Sequence, residues 1–127
     1  MKKKSKSSGE RGISFDTVGR LARALPGVEE STSYGTRSLK VDRTLFARLR
    51  EDGETLALRM DITSRDLLLR AEPELFYITD HYRDYPWILV RLPKVGTQRM
   101  AELLEDAWRL AASRRRVATF EKRKSAR

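Results

Sequence analysis

The stretch Ser38-Leu39-Lys40-Val41-Asp42-Arg43-Thr44-Leu45-Phe46-Ala47-Arg48-Leu49-Arg50-Glu51-Asp52-Gly53-Glu54-Thr55-Leu56-Ala57-Leu58-Arg59-Met60 decides the fold. Ser38 to Val41 alternates polar and apolar, and Thr44 to Leu49 resumes after Asp42-Arg43, which reads as a tight turn. Asp52-Gly53 marks a second hairpin turn, because both residue types tolerate positive φ. Beyond it, Leu56, Leu58 and Met60 fall on one side of an extended chain and Thr55, Ala57 and Arg59 on the other. Three strands joined by short turns make an antiparallel meander.

Toward the N-terminus, Ser14 stands where a helix N-cap would. Behind it Phe15, Val18, Leu21, Ala22 and Leu25 recur at helical spacing. Pro26-Gly27 stops that helix, since proline lacks the amide hydrogen and glycine permits a reversal. Glu29 to Ser33 is wholly polar and reads as a link.

Toward the C-terminus, Thr63-Ser64-Arg65-Asp66 before Leu67-Leu68-Leu69 resembles a capping box and predicts a short helix over Ser64–Ala71. Pro73 ends it. Phe76 to Thr79 is aromatic and β-branched, hence a strand. His81 to Pro86 is turn-like, and Trp87 to Leu92 is the strongest strand signal in the chain. Thr97 caps a final helix with an apolar stripe of Met100, Leu103, Leu104, Ala107, Trp108, Leu110 and Ala111. That helix is expected to run into Ser113. Arg114, Arg115 and Arg116 would then lie at its C-terminal end, where the helix dipole favours cations.

The expected order is therefore α-β-β-β-α-β-β-α: one α+β domain with an antiparallel sheet of about five strands flanked by helices. Its limits are residues 13–112. Residues 1–12 read as a disordered basic tail and 113–127 as a second basic tail. The chain has 127 residues and a net charge of +9, but residues 1–12 carry +4, residues 113–127 carry +6, and the part between carries −1. The positive charge belongs to the ends. Such ends attract phosphate polymers without reading sequence.

Cysteine is absent, which excludes disulfides, thiolate metal sites and cysteine nucleophiles. The basic start is followed by no apolar run and does not read as a signal peptide, and no stretch is long and apolar enough to span a bilayer. A cytoplasmic protein without membrane contact, monomeric and without cofactor, is expected.

His81 is the single histidine, so a histidine-rich metal site is excluded. Asp80 and Asp84 beside it do not make a catalytic triad by adjacency alone. Gly35 and Gly53 are isolated, and no phosphate-cradling glycine loop is present. No enzyme activity is expected. Tyr34, Arg37, Lys40, Arg59, His81, Tyr82, Tyr85 and Trp87 form the more informative group. Rings stack on bases while arginine and lysine meet phosphates. Against that, Trp87 and Tyr77 would serve equally as core residues, with the others along a sheet edge.

Leu25-Pro26-Gly27-Val28-Glu29-Glu30, Tyr34-Gly35, and Leu39-Lys40-Val41 leading to Phe46-Ala47 are together similar to the opening half of the MmcQ/YjbR-like family. Tyr77-Ile78-Thr79-Asp80-His81-Tyr82, Tyr85-Pro86-Trp87-Ile88-Leu89-Val90-Arg91-Leu92 and the helix bearing Leu103-Leu104 and Trp108 resemble its second half. The resemblance covers roughly residues 14–112 and rests on the ordered set rather than on any one motif. It implies an α+β fold whose hairpins project as two wings, for which DNA binding has been proposed.

Two functions follow. One is a binding protein for DNA or another polyanion, gripping through both tails, Arg114, Arg115 and Arg116 included. The hairpin residues Arg43, Arg48 and Arg50 would add contacts, although Glu51, Asp52 and Glu54 oppose phosphate. The other is a protein-interaction or small-anion-binding domain using the aromatic-basic face. A concavity lined by Tyr34, Arg59, His81 and Trp87 would favour the second, and a convex basic face the first.

Overall fold

The computed structural model describes residues 12–126. The expectation for residues 1–12 falls, but for Gly12, outside that range. Four helices are described, α1 (Phe15–Ala22), α2 (Ile62–Ala71), α3 (Thr97–Ala111) and α4 (Arg114–Ser125). The strands are β1 (Val28–Ser33), β2 (Thr36–Val41), β3 (Thr44–Leu49), β4 (Thr55–Arg59), β5 (Phe76–Tyr77) and β6 (Trp87–Arg91). All six form one antiparallel sheet in the order β1-β2-β3-β4-β6-β5. The α+β class and the meander stand as the sequence implied.

The sixth strand is the first correction. Glu29 to Ser33, read as a link, belongs to β1, which pairs with β2 along its whole length from Val28↔Val41 to Ser33↔Thr36. It is an edge strand with no buried residue, so it needs no apolar alternation. Tyr34-Gly35 makes the two-residue turn, with φ of 54° and 81°. Asp42-Arg43 turns similarly, at φ 49° and 68°.

The C-terminal segment is the second correction. The last apolar helix stops at Ala111, and Ser113 caps a new one, its Oγ accepting from the Arg116 amide at 3.1 Å. Arg114, Arg115 and Arg116 thus occupy the first turn of α4, the reverse of the placement the dipole argument predicted. Residues 114–125 are helical because Val117 and Phe120 give them an apolar side to bury, Phe120 meeting Trp108 edge-on with ring centres 4.9 Å apart. Two smaller differences concern helix ends. The N-cap of α2 is Asp61, whose Oδ1 accepts from the Ser64 amide at 2.9 Å, rather than a box at Thr63. Helix α1 stops at Ala22 and gives way to turns before Pro26-Gly27.

Helices α1 and α3 cover one face of the sheet. Leu39, Ala47, Leu56, Leu58, Ile88, Val90 and Phe76 point into that core with Val18, Met100, Leu104 and Trp108, all essentially buried. Trp108 also donates from Nε1 to the Pro26 carbonyl at 2.9 Å, tying α3 to the chain leaving α1. Arg99 and Glu72 form a two-pronged bond at 3.0 and 2.7 Å that fixes α3 to the end of α2.

Candidate functional site

Period-two alternation leaves a second face. Across it the register aligns Ser38, Arg48, Ala57, Leu89 and Tyr77 in one row. Lys40 pairs with Leu45 and Arg59 with Trp87 one step further along. Opposite the step from Leu39 to Lys40, the pairing on β3 jumps from Ala47 to Leu45, so Phe46 is an extra residue. Such a bulge disturbs the ladder and leaves backbone groups to be satisfied otherwise. Arg59 does this, donating from Nε and Nη2 to the Leu45 carbonyl at 3.0 and 2.8 Å. Its guanidinium lies 4.9 Å from the Trp87 ring centre, and burial lowers its pKa.

The segment between β5 and β6 roofs this face. Asp80–Tyr82 forms a single tight turn, and the chain then runs through Tyr85 and Pro86 into Trp87. The Met60 amide donates to the Pro86 carbonyl at 2.9 Å, and one side chain does the rest. Arg65 of α2, 3 % exposed, donates from Nη1 to the carbonyls of Tyr82 (3.0 Å) and Tyr85 (2.9 Å) and from Nη2 to that of Arg83 (3.1 Å). A polar turn is held down by satisfying its buried carbonyls from a single planar fork.

Between roof and sheet lies a concavity of about 410 Å³ lined by Tyr34, Leu45, Arg48, Ala57, His81, Tyr82, Tyr85 and Trp87. Ala57 supplies the small floor residue and the rings supply the walls. His81 meets Tyr82 edge-on with ring centres 4.9 Å apart. Tyr34, 83 % exposed on its turn, lies against the Arg48 guanidinium, 5.3 Å from ring centre to carbon. Arg48 itself is only 9 % exposed. Its hydrogen bonds among the described residues all run through Nη1: to Thr36 Oγ1 at 2.9 Å, Glu51 Oε2 at 3.4 Å and the Leu49 carbonyl at 3.5 Å. Nε and Nη2 have no such partner.

The predicted site residues therefore divide. Tyr34, Arg48, His81, Tyr82, Tyr85 and Trp87 come together around the concavity. Arg50 and Arg59 stand behind it, Arg50 with its guanidinium 5.7 Å from the Tyr82 ring centre and a buried Nε that has no partner among the described residues. Lys40 pairs with Leu45 but lies outside the lining. Arg37 is elsewhere, bonded to Glu30 at 2.7 Å and Asp16 at 2.8 Å with its guanidinium against Phe15. That pairing holds the Glu30 carboxyl below its usual range. Arg43 is exposed on the β2–β3 turn. Arg116 closes on Asp42 with Nη2–Oδ1 at 2.9 Å, and Arg114 and Arg115 are exposed on α4. Arg65 was missed by the sequence reading. Its signal, a charged residue just before a leucine triplet, reads equally as an exposed helix position.

Among the described residues no group of three His, Asp or Glu side chains is placed to hold a metal ion, and no helix is long and apolar enough to cross a membrane.

The fold and face are those of a small α+β protein with one helix-covered side and one aromatic side. Residues 23–110 match the family model of YjbR, and the chain belongs to the YjbR family, as its resemblance implied. It is 27% identical over 121 residues to a protein of Mycobacterium tuberculosis strain H37Rv and to one of Mycobacterium bovis, both described as uncharacterised. Each of those matches covers 84% of this chain and 94% of the relative. The crystal structure of Deinococcus radiodurans protein DR2400, a DUF419 domain, superposes with a TM-score of 0.67 at 21% identity over 81% of both chains. That likeness concerns the fold.

Proposed function

We propose that this protein is a non-catalytic binding protein whose concave face takes a small planar anion, an aromatic carboxylate being the simplest case. One observation carries the reading: Arg48, nearly buried and against the Tyr34 ring, lines a concavity that five rings share, with its Nε and Nη2 uncommitted among the described residues. A guanidinium in such surroundings binds a carboxylate or phosphate more strongly than one in water, and the rings accept a flat partner face to face. The volume falls in the range of small-molecule sites.

The hairpin contacts of the polyanion reading draw less support. Arg48 and Arg50 fold inward onto Tyr34 and Tyr82, and the exposed β3–β4 turn carries Glu51, Asp52 and Glu54.

Isothermal titration with 1-naphthoate and its neutral analogue 1-naphthylmethanol tests the proposal. The acid is expected to bind the protein and to lose most of that binding in Arg48→Gln, while the alcohol binds weakly to both. Equal binding of acid and alcohol, or undiminished binding by Arg48→Gln, would remove the anion from the account.

A further inference from the structure

Helix α4 lies beyond the residues matched by the family, and its charges are sorted by side. Toward the body, Arg116 pairs with Asp42, Lys124 with Glu105 at 3.2 Å, and Glu121 with Arg109. The one acidic residue of the helix is thus spent inward. Outward stand Arg114, Arg115, Lys122 and Arg123, all exposed and without an ion-pair partner among the described residues. Arg114 and Lys122, like Arg115 and Arg123, are eight residues apart, which places them on adjoining lines along the helix about 12 Å from end to end.

We infer that this face is a docking surface for the phosphate backbone of duplex nucleic acid. Charge complementarity names the class. Between the two pairs of cations the exposed positions are Ala118 and Thr119, so the face lacks the aromatic or large apolar anchor on which protein interfaces depend. Phosphate binding needs no such anchor, because release of condensed counterions supplies the free energy. The span also fits. Duplex DNA carries a charge about every 3.4 Å along each strand, so the cations at the two ends of the face reach separate phosphates of one strand. Beside the helix, a concavity of about 240 Å³ has Pro26 and Phe120 among its lining, with Phe120 turned against Trp108, and offers Arg115, Arg123 and the hydroxyls of Ser113 and Thr119 as donors suited to phosphate oxygens. Contacts of this kind carry no base recognition, and the surface is distinct from the Arg48 concavity.

The test uses the full chain and a short fluorescein-labelled duplex of mixed sequence, titrated at several salt concentrations. A variant with Arg114, Arg115, Lys122 and Arg123 all changed to Gln is compared with one in which Arg114, Arg115 and Arg123 become Lys. Four neutralised phosphates contribute a slope of about −3.6 in log affinity against log salt, roughly a 150-fold change between 50 and 200 mM. The Gln variant is expected to lose a slope of about that size and the Lys variant to keep it. An unchanged slope in the Gln variant overturns the inference. So does loss in the Lys variant, or preference for an oligoglutamate of matched charge over the duplex. A failed Arg48 titration with naphthoate leaves this result untouched, so the two proposals fail separately.

Discussion

The two faces of the sheet are closed by different means. The helical face is sealed by apolar volume: Phe46, Leu58, Ile88, Met100 and Trp108 pack with essentially no exposure, and any one of them is supported by many neighbours. The other face is sealed by directional bonds. A roof of polar turn lies over Arg48 and a ring of aromatics because one guanidinium, that of Arg65, holds three of its carbonyls. The first arrangement resists change through redundancy. The second depends on few residues, and in return it leaves a concavity of about 410 Å³.

Substitution at Trp108 gives the largest expected effect. Trp108→Ala opens a cavity under α3 and orphans the Pro26 carbonyl, and denaturant unfolding should show a loss of about 3–5 kcal/mol. A loss below 1 kcal/mol would mean that the helical face is not the main store of stability. Arg65→Met comes next, at about 2–3 kcal/mol, since the carbonyls of Tyr82, Arg83 and Tyr85 lose their buried donor. Amide exchange should quicken across residues 80–86 while β2 to β4 stay protected, whereas uniform quickening would erase the distinction between the faces.

The outermost layer of the helical side, α4, is itself partly polar in its attachment. Gly27 sits at φ +75°, where a Cβ would lie 2.4 Å from the Arg116 guanidinium carbon. Gly27→Ala is expected to cost about 1–2 kcal/mol from the backbone alone and to push Arg116 from Asp42, visible as faster exchange in α4. The smallest effect is acid release of the same seam. Hydrogen bonds from Arg116 and the Ser113 amide lower the Asp42 pKa to about 2 from the ordinary 3.8. A depressed carboxylate stabilises above its unfolded value and ceases to as pH falls, so α4 should loosen between about pH 4 and pH 2. Asp42→Asn should remove that dependence. Loosening that persists in Asp42→Asn would place the titrating group elsewhere.

What the sequence disclosed follows the same division. The apolar face announced itself through period: Leu56-Ala57-Leu58, the Trp87–Leu92 run and the stripe ending at Trp108 each imply a buried side. Edge strand β1 stayed hidden because Glu29 to Ser33 bury little and are held by backbone bonds, which leave no mark on side-chain pattern; the Tyr34-Gly35 pair was the available clue. Helix α4 was masked by its own charge, with only Val117 and Phe120 to reveal it. At the site, Tyr34, His81, Tyr82, Tyr85 and Trp87 of the aromatic-basic group meet and are joined by Arg48, expected only as a hairpin contact, whereas Arg37 of the same group faces α1 and Arg59 stands outside the lining. Residue type located the candidates; the register and the bulge at Phe46 decided the side for those in strands, and the turn held by Arg65 placed His81, Tyr82 and Tyr85.

The central claim is that the aromatic face, and not the helical side, is where a small planar anion binds. Backbone amide chemical shifts recorded during titration with 1-naphthoate test it directly. Saturable shifts confined to Tyr34, Arg48, Ala57 and residues 81–87 are predicted. Shifts centred on α1, α3 or α4, or none at concentrations that saturate the calorimetric signal, would contradict it.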